Sequence, residues 1–332
     1  NGKIALEKIV QLNPDVLVLD IEMPICDGFE VLRSLREQRI RIRTIMFSTL
    51  TERGATQTIK ALSLGANDYV SKPSSESNIT SYSDGVKKVA ADLTPKIKQF
   101  RRRAPMANGS ANPVEIPNRT TIMPIRENSG PFTPRQIVAI GISTGGREAL
   151  AKVLPKLPGS FPVPIVIVQH MPALFTKLLA ERLNSSCKIK VVEGAEGMVL
   201  EAGVAYIAPG DYHLIVKQSD GKFMLSINQG PPENSCRPAA DVLFRSVAEV
   251  YGERALGVIM TGMGHDGLKG LRIMHAKGAS VIAQDEASSV VWGMPSGVVQ
   301  EGLADKILPV DQMAGSIERS VMVKSSTTAQ IR

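Results

Sequence analysis

A serine, a histidine and an aspartate each follow a short apolar run in the second half of the sequence. Ser143 lies in G-I-S-T-G-G after Q-I-V-A-I, His170 follows I-V-I-V-Q, and Asp266 lies in T-G-M-G-H-D-G after L-G-V-I-M. Short runs rich in valine and isoleucine, alternating with helical patterns, predict buried parallel strands. The carboxyl ends of parallel strands meet at one sheet edge, where open α/β folds place their sites. We therefore interpret the three side chains as a candidate nucleophile, its general base and the group that orients the base.

The G-I-S-T-G-G segment is open to three interpretations. A dinucleotide-binding fingerprint requires glycine at position 143 and an acid at the end of the next strand, but that strand ends in Gln169-His170. A nucleophile elbow has the G-x-S-x-G spacing seen here, although the chain order Ser143, His170, Asp266 differs from that of the α/β-hydrolases. The serine is also a candidate cap for a helix that begins near Gly146. This third role is compatible with the second, because a helix N-terminus favours an anionic intermediate.

The loop before Asp266 contains Gly262 and Gly264 on either side of Met263. Glycine lets the backbone approach a substrate closely, so N–H groups of this loop are candidates for an oxyanion hole. A metal centre is not expected in this half of the chain, because its histidines are irregularly spaced and none are paired at i, i+4 on a predicted helix.

Three polar residues also end consecutive predicted strands in the first half of the chain. Asp20 ends L-V-L-D, Ser48 ends I-M-F-S, and Lys72 follows D-Y-V-S and precedes a proline. With the pattern D-x-x-M-P at Asp20, this region resembles the receiver domain of two-component response regulators. The resemblance implies that Asp20 is the phosphoacceptor, and that Ser48 and Lys72 contact the phosphoryl group. It also implies that Tyr69 is the aromatic residue whose rotamer reports the switch.

Receivers of this family hold Mg²⁺ with an acidic pair at the end of an earlier strand. Only nineteen residues precede Asp20, whereas a βαβ unit takes about thirty. We therefore expect an N-terminally truncated receiver that lacks its first strand, with an incomplete Mg²⁺ site for phosphorylation. The start at Asn1, without a methionine or a signal-peptide pattern, is likewise typical of a fragment.

Six further motifs follow in order: G-x-S-T-G-G, Q-H-M-P, Y-I-A-P-G-D, R-P-A-A-D-V-L-F, T-G-M-G-x-D-G and V-V-W-G-M-P. Behind a receiver, they resemble the CheB family of chemotaxis protein-glutamate methylesterases/glutamine deamidases. The resemblance implies that Ser143 is the nucleophile, His170 the general base and Asp266 its orienter. It also implies that the backbone N–H of Met263 is an oxyanion donor.

Two residues depart from the pattern of that family. Cys236 precedes R-P at a position where histidine or tyrosine is expected, and His265 fills a variable position in T-G-M-G-x-D-G. We expect neither to contact the triad, and both to affect the fit of the substrate.

The resemblance implies hydrolysis of glutamate methyl esters and deamidation of glutamines on chemoreceptor helices, through an acyl-enzyme on Ser143 and without a cofactor. A histidine kinase is the implied phosphodonor, and the unphosphorylated receiver is implied to cover the active site. Two alternatives remain open. One is a serine hydrolase that acts on another ester or amide; the other is a non-catalytic receiver-linked scaffold or nucleotide-binding module.

Composition narrows the class of protein. The 332 residues carry a net charge of +7, with 43% apolar and 21% charged residues, which is ordinary for about two globular domains. No apolar stretch approaches the roughly 18 residues of a membrane span, so membrane insertion is not expected. Basic residues between the halves are not interleaved with aromatic ones, so nucleic-acid binding is not expected. The distant cysteines predict a reducing compartment, the cytoplasm.

These patterns predict an α/β protein of two domains. We predict a flavodoxin-like receiver at residues 1–85, a linker at residues 86–135, and a doubly wound, mostly parallel catalytic domain at residues 136–323. Glycines punctuate residues 188–229, which predicts an antiparallel excursion at the edge of the second sheet.

Overall fold

Valine- and isoleucine-rich runs form parallel strands in both halves of the chain. The fold is that of a computed structural model, which describes residues 1–49, 51–73, 82–100 and 134–322. The chain divides into two units, residues 1–118 and 119–332. Among the residues described, no helix is both long enough and apolar enough to cross a membrane.

The first unit contains a parallel sheet with helices around it. The strands are β1 (Val16–Asp20), β2 (Arg43–Ser48) and β3 (Asp68–Ser71), and the helices are α1 (Gly2–Leu12), α2 (Gly28–Glu37), α3 (Glu52–Ser63) and α4 (Tyr82–Phe100). The strand order is β1-β2-β3. Helix α2 begins at a capping box formed by Asp27 and Glu30. Its apolar face packs with Leu19 of β1 and Met46 of β2, and this core holds the carboxyl ends of the strands in place.

Helix α4 includes residues 86–100, which belong to the expected linker of residues 86–135. Lys96 of this helix donates to the Tyr69 carbonyl oxygen at 2.6 Å and lies 3.5 Å from the Asp68 carboxylate, so α4 packs against β3. The sequence contains a signal for this helix, because apolar residues recur at helical spacing at positions 89, 93, 97 and 100. Residues 101–133 of the expected linker lie outside the described part of the chain.

The second unit is built on a larger parallel sheet. The strands of this sheet are β4 (Ile137–Ile142), β5 (Ile165–Gln169), β6 (Lys190–Glu193), β7 (Val204–Ile207), β10 (Ala255–Ile259), β11 (Ser280–Gln284) and β12 (Lys306–Leu308). A separate antiparallel pair consists of β8 (His213–Ser219) and β9 (Lys222–Asn228). The helices are α5 (Gly146–Val153), α6 (Phe175–Asn184), α7 (Ala240–Tyr251), α8 (Leu268–Ala276), α9 (Gly293–Gln300) and α10 (Val310–Val321).

The order of the larger sheet is β12-β11-β10-β4-β5-β7-β6, and its pairings are parallel. The chain first adds strands on one side of β4 and then adds β10, β11 and β12 on the other. The order therefore reverses between β4 and β10, where α/β folds open a crevice. Every residue of β4, β5 and β10 is buried, as expected for strands with helices on both faces. The predicted α/β class is confirmed for both units.

The expectation of an antiparallel excursion over residues 188–229 is wrong for its first part. Strands β6 and β7 pair in parallel and belong to the main sheet. Antiparallel pairing joins β8 to β9 and Val199 to Met224. The β8–β9 pair packs on α7, where the Val216 N–H donates to Ser246 Oγ at 3.0 Å. Glycines mark the turns of this region, but they do not reveal which strand each segment pairs with, since pairing depends on buried contacts made elsewhere in the chain.

Candidate active site

Ser143 lies in a tight turn between β4 and α5. Its N–H donates to the Thr261 carbonyl oxygen at 3.0 Å. Its own carbonyl oxygen accepts from Gln169 Nε2 at 3.0 Å and from the Gly146 N–H at 2.7 Å, so the turn is tied to the ends of β5 and β10. Helix α5 is capped by Gly145, whose φ of +79° is left-handed, without a side-chain hydrogen bond. The interpretation of Ser143 as the helix cap is therefore wrong.

His170 and Asp266 form a hydrogen-bonded pair at the same sheet edge. His170 Nε2 lies 2.7 Å from Asp266 Oδ2, and the Asp266 residue is only 2% exposed. The carboxylate also accepts from the N–H groups of Ala240, at 2.6 Å, and Asp241, at 3.1 Å, which begin α7. A third N–H, that of Gly267, donates at 3.0 Å. The N-terminus of α7 therefore stabilises the buried negative charge.

Hydrogen bonding outweighs burial for both members of this pair. Burial by itself raises the pKa of Asp266, but the hydrogen bond and charge of His170, together with the α7 N–H groups, bring it below its ordinary value. Burial also lowers the pKa of His170, whereas hydrogen bonds and charge interactions with Asp266 and Cys236 raise it to about 10. The pair therefore stabilises the imidazolium that forms when His170 takes up a proton, and His170 acts as a base only in its neutral form.

Cys236 contacts His170, contrary to the expectation that it does not touch the candidate triad. Its Sγ lies 3.6 Å from His170 Nδ1, the ring nitrogen that does not face Asp266. No hydrogen bond joins Ser143 Oγ to His170 within the described part of the chain. The sequence flagged Cys236 as a departure, but its distance of 66 residues from His170 along the chain hid the contact.

The loop after β10 brings backbone N–H groups next to Ser143. A Cβ atom at Gly262 would lie 2.2 Å from Met294 Sδ and 2.9 Å from Ser143 Cβ, so only glycine fits this close approach. The Gly262 N–H donates to the Val291 carbonyl oxygen at 2.9 Å. Among the residues described, the next N–H, that of Met263, makes no hydrogen bond. It is therefore available to an incoming oxygen. His265 in the same loop is exposed.

The candidate residues of the first unit lie at the carboxyl ends of β1, β2 and β3. Lys72 Nζ donates to Asp20 Oδ2 at 2.6 Å, so the predicted acceptor and its counter-charge are in contact. Ser48 is buried, and its hydroxyl donates to the Gly54 carbonyl oxygen at 3.2 Å. Tyr69 is held by α4, since Lys96 Nζ also lies 5.5 Å from the centre of its ring. Thus Asp20 and Lys72 meet, whereas Ser48 bonds elsewhere.

A Mg²⁺ ion in this unit would require oxygen ligands in addition to Asp20. Within the described residues, no group of three histidine, cysteine, aspartate or glutamate side chains is placed to hold a metal ion.

Comparison with known proteins identifies the family. Residues 138–317 match the family model "CheB methylesterase", and residues 1–83 match "Response regulator receiver domain". The chain is 47% identical to a protein-glutamate methylesterase/protein-glutamine glutaminase of Trichodesmium erythraeum over 97% of this chain and 90% of that protein. The chain belongs to the CheB methylesterase family. A protein of the same name from Nocardioides sp. is 44% identical over 96% of this chain and 86% of the relative.

A solved CheB structure resembles the second unit. The catalytic domain of the CheB methylesterase of Thermotoga maritima is 43% identical, with a TM-score of 0.55, and the match covers 56% of this chain and 99% of that domain. The family resemblance inferred from the six motifs is therefore confirmed.

Asn234 was not singled out by any motif, yet its side chain is hydrogen-bonded to the Asp266 carboxylate of the His170–Asp266 pair. Its Nδ2 donates to Asp266 Oδ1 at 2.8 Å and to Asp241 Oδ2 at 2.9 Å. A weak signal was present, because Asn234 lies just before R-P-A-A-D, the segment whose N–H groups hold Asp266.

Proposed function

We propose that Ser143, His170 and Asp266 carry out the reactions of this receiver-linked protein-glutamate methylesterase/protein-glutamine glutaminase. One observation carries the assignment. His170 Nε2 and Asp266 Oδ2 lie 2.7 Å apart at the sheet edge where Ser143 follows β4. A carboxylate that orients an imidazole beside a serine is the arrangement that activates serine as a nucleophile.

In the first step, Ser143 Oγ attacks the carbonyl carbon of the glutamate methyl ester and its proton passes to His170. Because His170 Nε2 is bound to Asp266, Nδ1 is the nitrogen that takes this proton. The Cys236 thiol gives up its contact with Nδ1 at this point. Asp266 stabilises the imidazolium, as the raised pKa of His170 indicates.

In the second step, His170 returns the proton to the leaving methanol, and the glutamyl group remains as an ester on Ser143. Water then attacks this acyl-enzyme with His170 as base, which releases the glutamate carboxylate and restores the hydroxyl. With a glutamine substrate, ammonia leaves in place of methanol. No cofactor takes part in this scheme.

The negative charge of each tetrahedral intermediate falls next to the loop after β10. The Met263 N–H supports a role as oxyanion donor, because it has no partner among the described residues and follows the glycine that packs on Ser143. Loss of one such donor typically slows catalysis about 100-fold to 1,000-fold.

The proposal is tested by release of labelled methanol from methylated chemoreceptor membranes. Wild-type protein should release methanol, and Ser143→Ala should release none above background while its thermal melt stays unchanged. Ser185→Ala, at an exposed serine after α6, is the matched control and should retain full activity. Substantial turnover by Ser143→Ala would overturn the assignment. Activity on other esters, but not on receptor membranes, would favour a serine hydrolase of different specificity.

For the first unit we propose that Asp20 accepts a phosphoryl group from a histidine kinase, with Lys72 as counter-charge. The 2.6 Å contact between these side chains supports this role. Ser48 and Tyr69 are proposed to respond to the phosphoryl group. The test is incorporation of labelled phosphate from a phosphorylated kinase into wild-type protein and into Asp20→Asn, which should accept none.

The proposed substrates are glutamate methyl esters and glutamines on chemoreceptor helices. We place the reaction in the cytoplasm, since Cys26, Cys187 and Cys236 are free thiols, as a reducing compartment favours.

A further inference from the structure

The Asn234 amide bridges two buried carboxylates. Its Nδ2 donates one hydrogen to Asp266 Oδ1 at 2.8 Å and the other to Asp241 Oδ2 at 2.9 Å. Asp266 and Asp241 are 2% and 0% exposed. We propose that Asn234 is a positioning residue for the esterase reaction, which holds the Asp266 carboxylate in the orientation that binds His170. This inference rests on the proposed role of the His170–Asp266 pair.

Each oxygen of Asp266 has a distinct set of donors. Oδ2 accepts from His170 Nε2 and from the Ala240 N–H. Oδ1 accepts from two backbone N–H groups and from Asn234, the only side-chain donor to this oxygen among the described residues. Rotation of the carboxylate away from His170 would break the bond to Asn234. The amide therefore fixes the rotation of the group that orients the imidazole.

Asp241 connects the same amide to the framework of the domain. Its Oδ1 accepts from the Gly270 N–H of α8 at 2.7 Å, and its own N–H binds Asp266. Asp241 is therefore fixed between α7 and α8, and it offers Asn234 a rigid second anchor. Because Asp241 already holds the Asn234 amide, this side chain loses little conformational freedom when it binds Asp266.

The segment that carries Asn234, residues 233–236, is held in an unusual conformation. Asn234 and Ser235 have φ values of +51° and +62°, which L-residues other than asparagine and aspartate adopt at a cost. Two hydrogen bonds between the backbones of Glu233 and Cys236, at 3.1 and 2.8 Å, close this turn. Arg245 of α7 binds the Glu233 carboxylate, with Nη1 at 2.9 Å from Oε2. The turn is therefore tied to α7, the helix that also binds Asp266.

Without the amide, the two buried carboxylates would lose the side-chain donor that bridges them. Burial already raises the pKa of Asp241, and the charge of Asp266 adds to this, whereas the Gly270 and Asn234 hydrogen bonds lower it. Loss of the Asn234 hydrogen bond therefore raises the pKa of Asp241 further. The other charged or titratable groups near the pair are His170, Cys236, Glu233, Arg245 and His213.

The test compares two substitutions with a neighbouring control. Asn234→Gly removes the amide and still permits the left-handed backbone, whereas Asn234→Asp keeps the shape and replaces donors by acceptors. Ser235→Gly is the control at the adjacent left-handed position, where the structure shows no side-chain hydrogen bond. The measurements are kcat and KM for methanol release from methylated receptor membranes between pH 5 and pH 10, with thermal melts.

We expect kcat of Asn234→Gly to fall about 10-fold or more, which is typical for loss of a group that orients a functional ligand. The KM should be unchanged, and the acid limb of the kcat profile should move to lower pH, because the Asp266 hydrogen bond that raises the pKa of His170 is weakened. Asn234→Asp should lower kcat at least as much, because it replaces the donor by a third carboxylate that repels Asp266 and Asp241. The Ser235→Gly control should match wild type. A wild-type kcat and an unshifted acid limb in Asn234→Gly would overturn the proposal, even if its melting temperature were lower.

A second measurement is independent of activity. The proton between His170 Nε2 and Asp266 is expected to give a low-field NMR signal in the whole protein, which should weaken or move in Asn234→Gly and persist in Ser235→Gly. An unchanged signal would overturn the positioning role. The two proposals can fail separately. An active Ser143→Ala would overturn the proposed nucleophile, whereas the NMR signal would still show whether Asn234 positions Asp266. If Asn234→Gly failed to fold, Asn234→Ser would replace it in both measurements.

Discussion

Cys236 Sγ lies 3.6 Å from His170 Nδ1, the ring nitrogen that remains after Nε2 binds Asp266. The thiol therefore occupies the position on the imidazole that the Ser143 hydroxyl requires. The thiol is in contact with the base, whereas no hydrogen bond joins Ser143 Oγ to His170 among the described residues. The proposed reaction needs the serine to replace it.

Replacing Cys236 should alter the pH dependence of the reaction without removing activity. The hydrogen bond and charge of Cys236 contribute to the raised pKa of His170, so Cys236→Ala should move the rise of kcat/KM with pH to lower pH. Cys236→Ser should lie between this variant and wild type, because the hydroxyl retains a hydrogen bond. The check is a pH–rate profile of methanol release. A loss of activity as complete as that of Ser143→Ala would contradict the assignment of the nucleophile.

Asp266→Asn should flatten the pH dependence of stability. Burial lowers the pKa of His170, but Asp266 and Cys236 raise it from 6.5 to about 10, so the folded protein binds a proton that the unfolded chain releases between these values. The free energy of unfolding should therefore be highest below pH 6.5 for this group and fall as pH rises towards 10. Without the Asp266 charge, the difference between the pKa values of His170 in the folded and unfolded protein becomes smaller, so the free energy of unfolding depends less on pH.

Denaturant unfolding at pH 6.5, 8 and 9.5 measures this slope for wild type, Asp266→Asn and a control. Asp311→Asn is a suitable control, because Asp311 is an exposed residue of α10 that is not a partner of His170 or Asp266. Its carboxylate lies 3.6 Å from Lys156 Nζ. Equal slopes in wild type and Asp266→Asn would contradict the raised pKa. The Asp266→Asn protein should also keep more esterase activity than His170→Ala, since the base itself remains.

Gly210→Ala should destabilise the protein and slow the reaction. A Cβ atom at Gly210 would lie 2.1 Å from the Ala173 nitrogen and 2.2 Å from the Pro172 carbonyl carbon, which are backbone atoms just after His170. We expect a loss of about 1–3 kcal/mol in the free energy of unfolding, as is typical of overpacking. The displaced backbone should also lower kcat.

Gly315→Ala is the matched control for that substitution. Gly315 lies within α10, and a Cβ there would meet only the flexible end of Arg319, at 3.3 Å. This variant should gain about 0.5–1 kcal/mol, because alanine is favoured over glycine in a helix interior. Thermal or urea unfolding compares the two variants. Stabilisation by Gly210→Ala would show that the close approach of the two loops is not required.

A chain that starts at Pro134 should be more active than the whole protein without phosphate on Asp20. The family resemblance implies that the receiver covers the active site, and a tethered domain reaches an effective concentration of about millimolar. Inhibition by 1.4 kcal/mol corresponds to about tenfold in rate. The shorter chain keeps the bond from the Arg135 N–H to the Ser320 carbonyl oxygen at 3.0 Å. Equal rates of methanol release would leave this regulation without support.

The strands could be predicted from the sequence because β4, β5 and β10 are continuous apolar runs whose burial is visible residue by residue. Because Ser143 follows β4 and His170 follows β5, their positions at one edge of the sheet could also be predicted. The contacts of Asn234 and Cys236 could not be predicted, because they depend on two consecutive left-handed residues and on the placement of α7. Helix α4 was missed for a different reason: Pro95 and the basic residues of this segment favour a linker, and they outweighed its apolar spacing.

The most direct test of the central claim is to find which side chain reacts with a fluorophosphonate probe, because the Cys236 thiol contacts the base that Ser143 requires. Whole protein is labelled at neutral pH, digested, and the adduct located by mass spectrometry. We predict one adduct, on Ser143, which is absent from Ser143→Ala and His170→Ala and retained in Cys236→Ala. An adduct on Cys236, or labelling of Ser143→Ala at the wild-type rate, would contradict the assignment of Ser143 as the nucleophile.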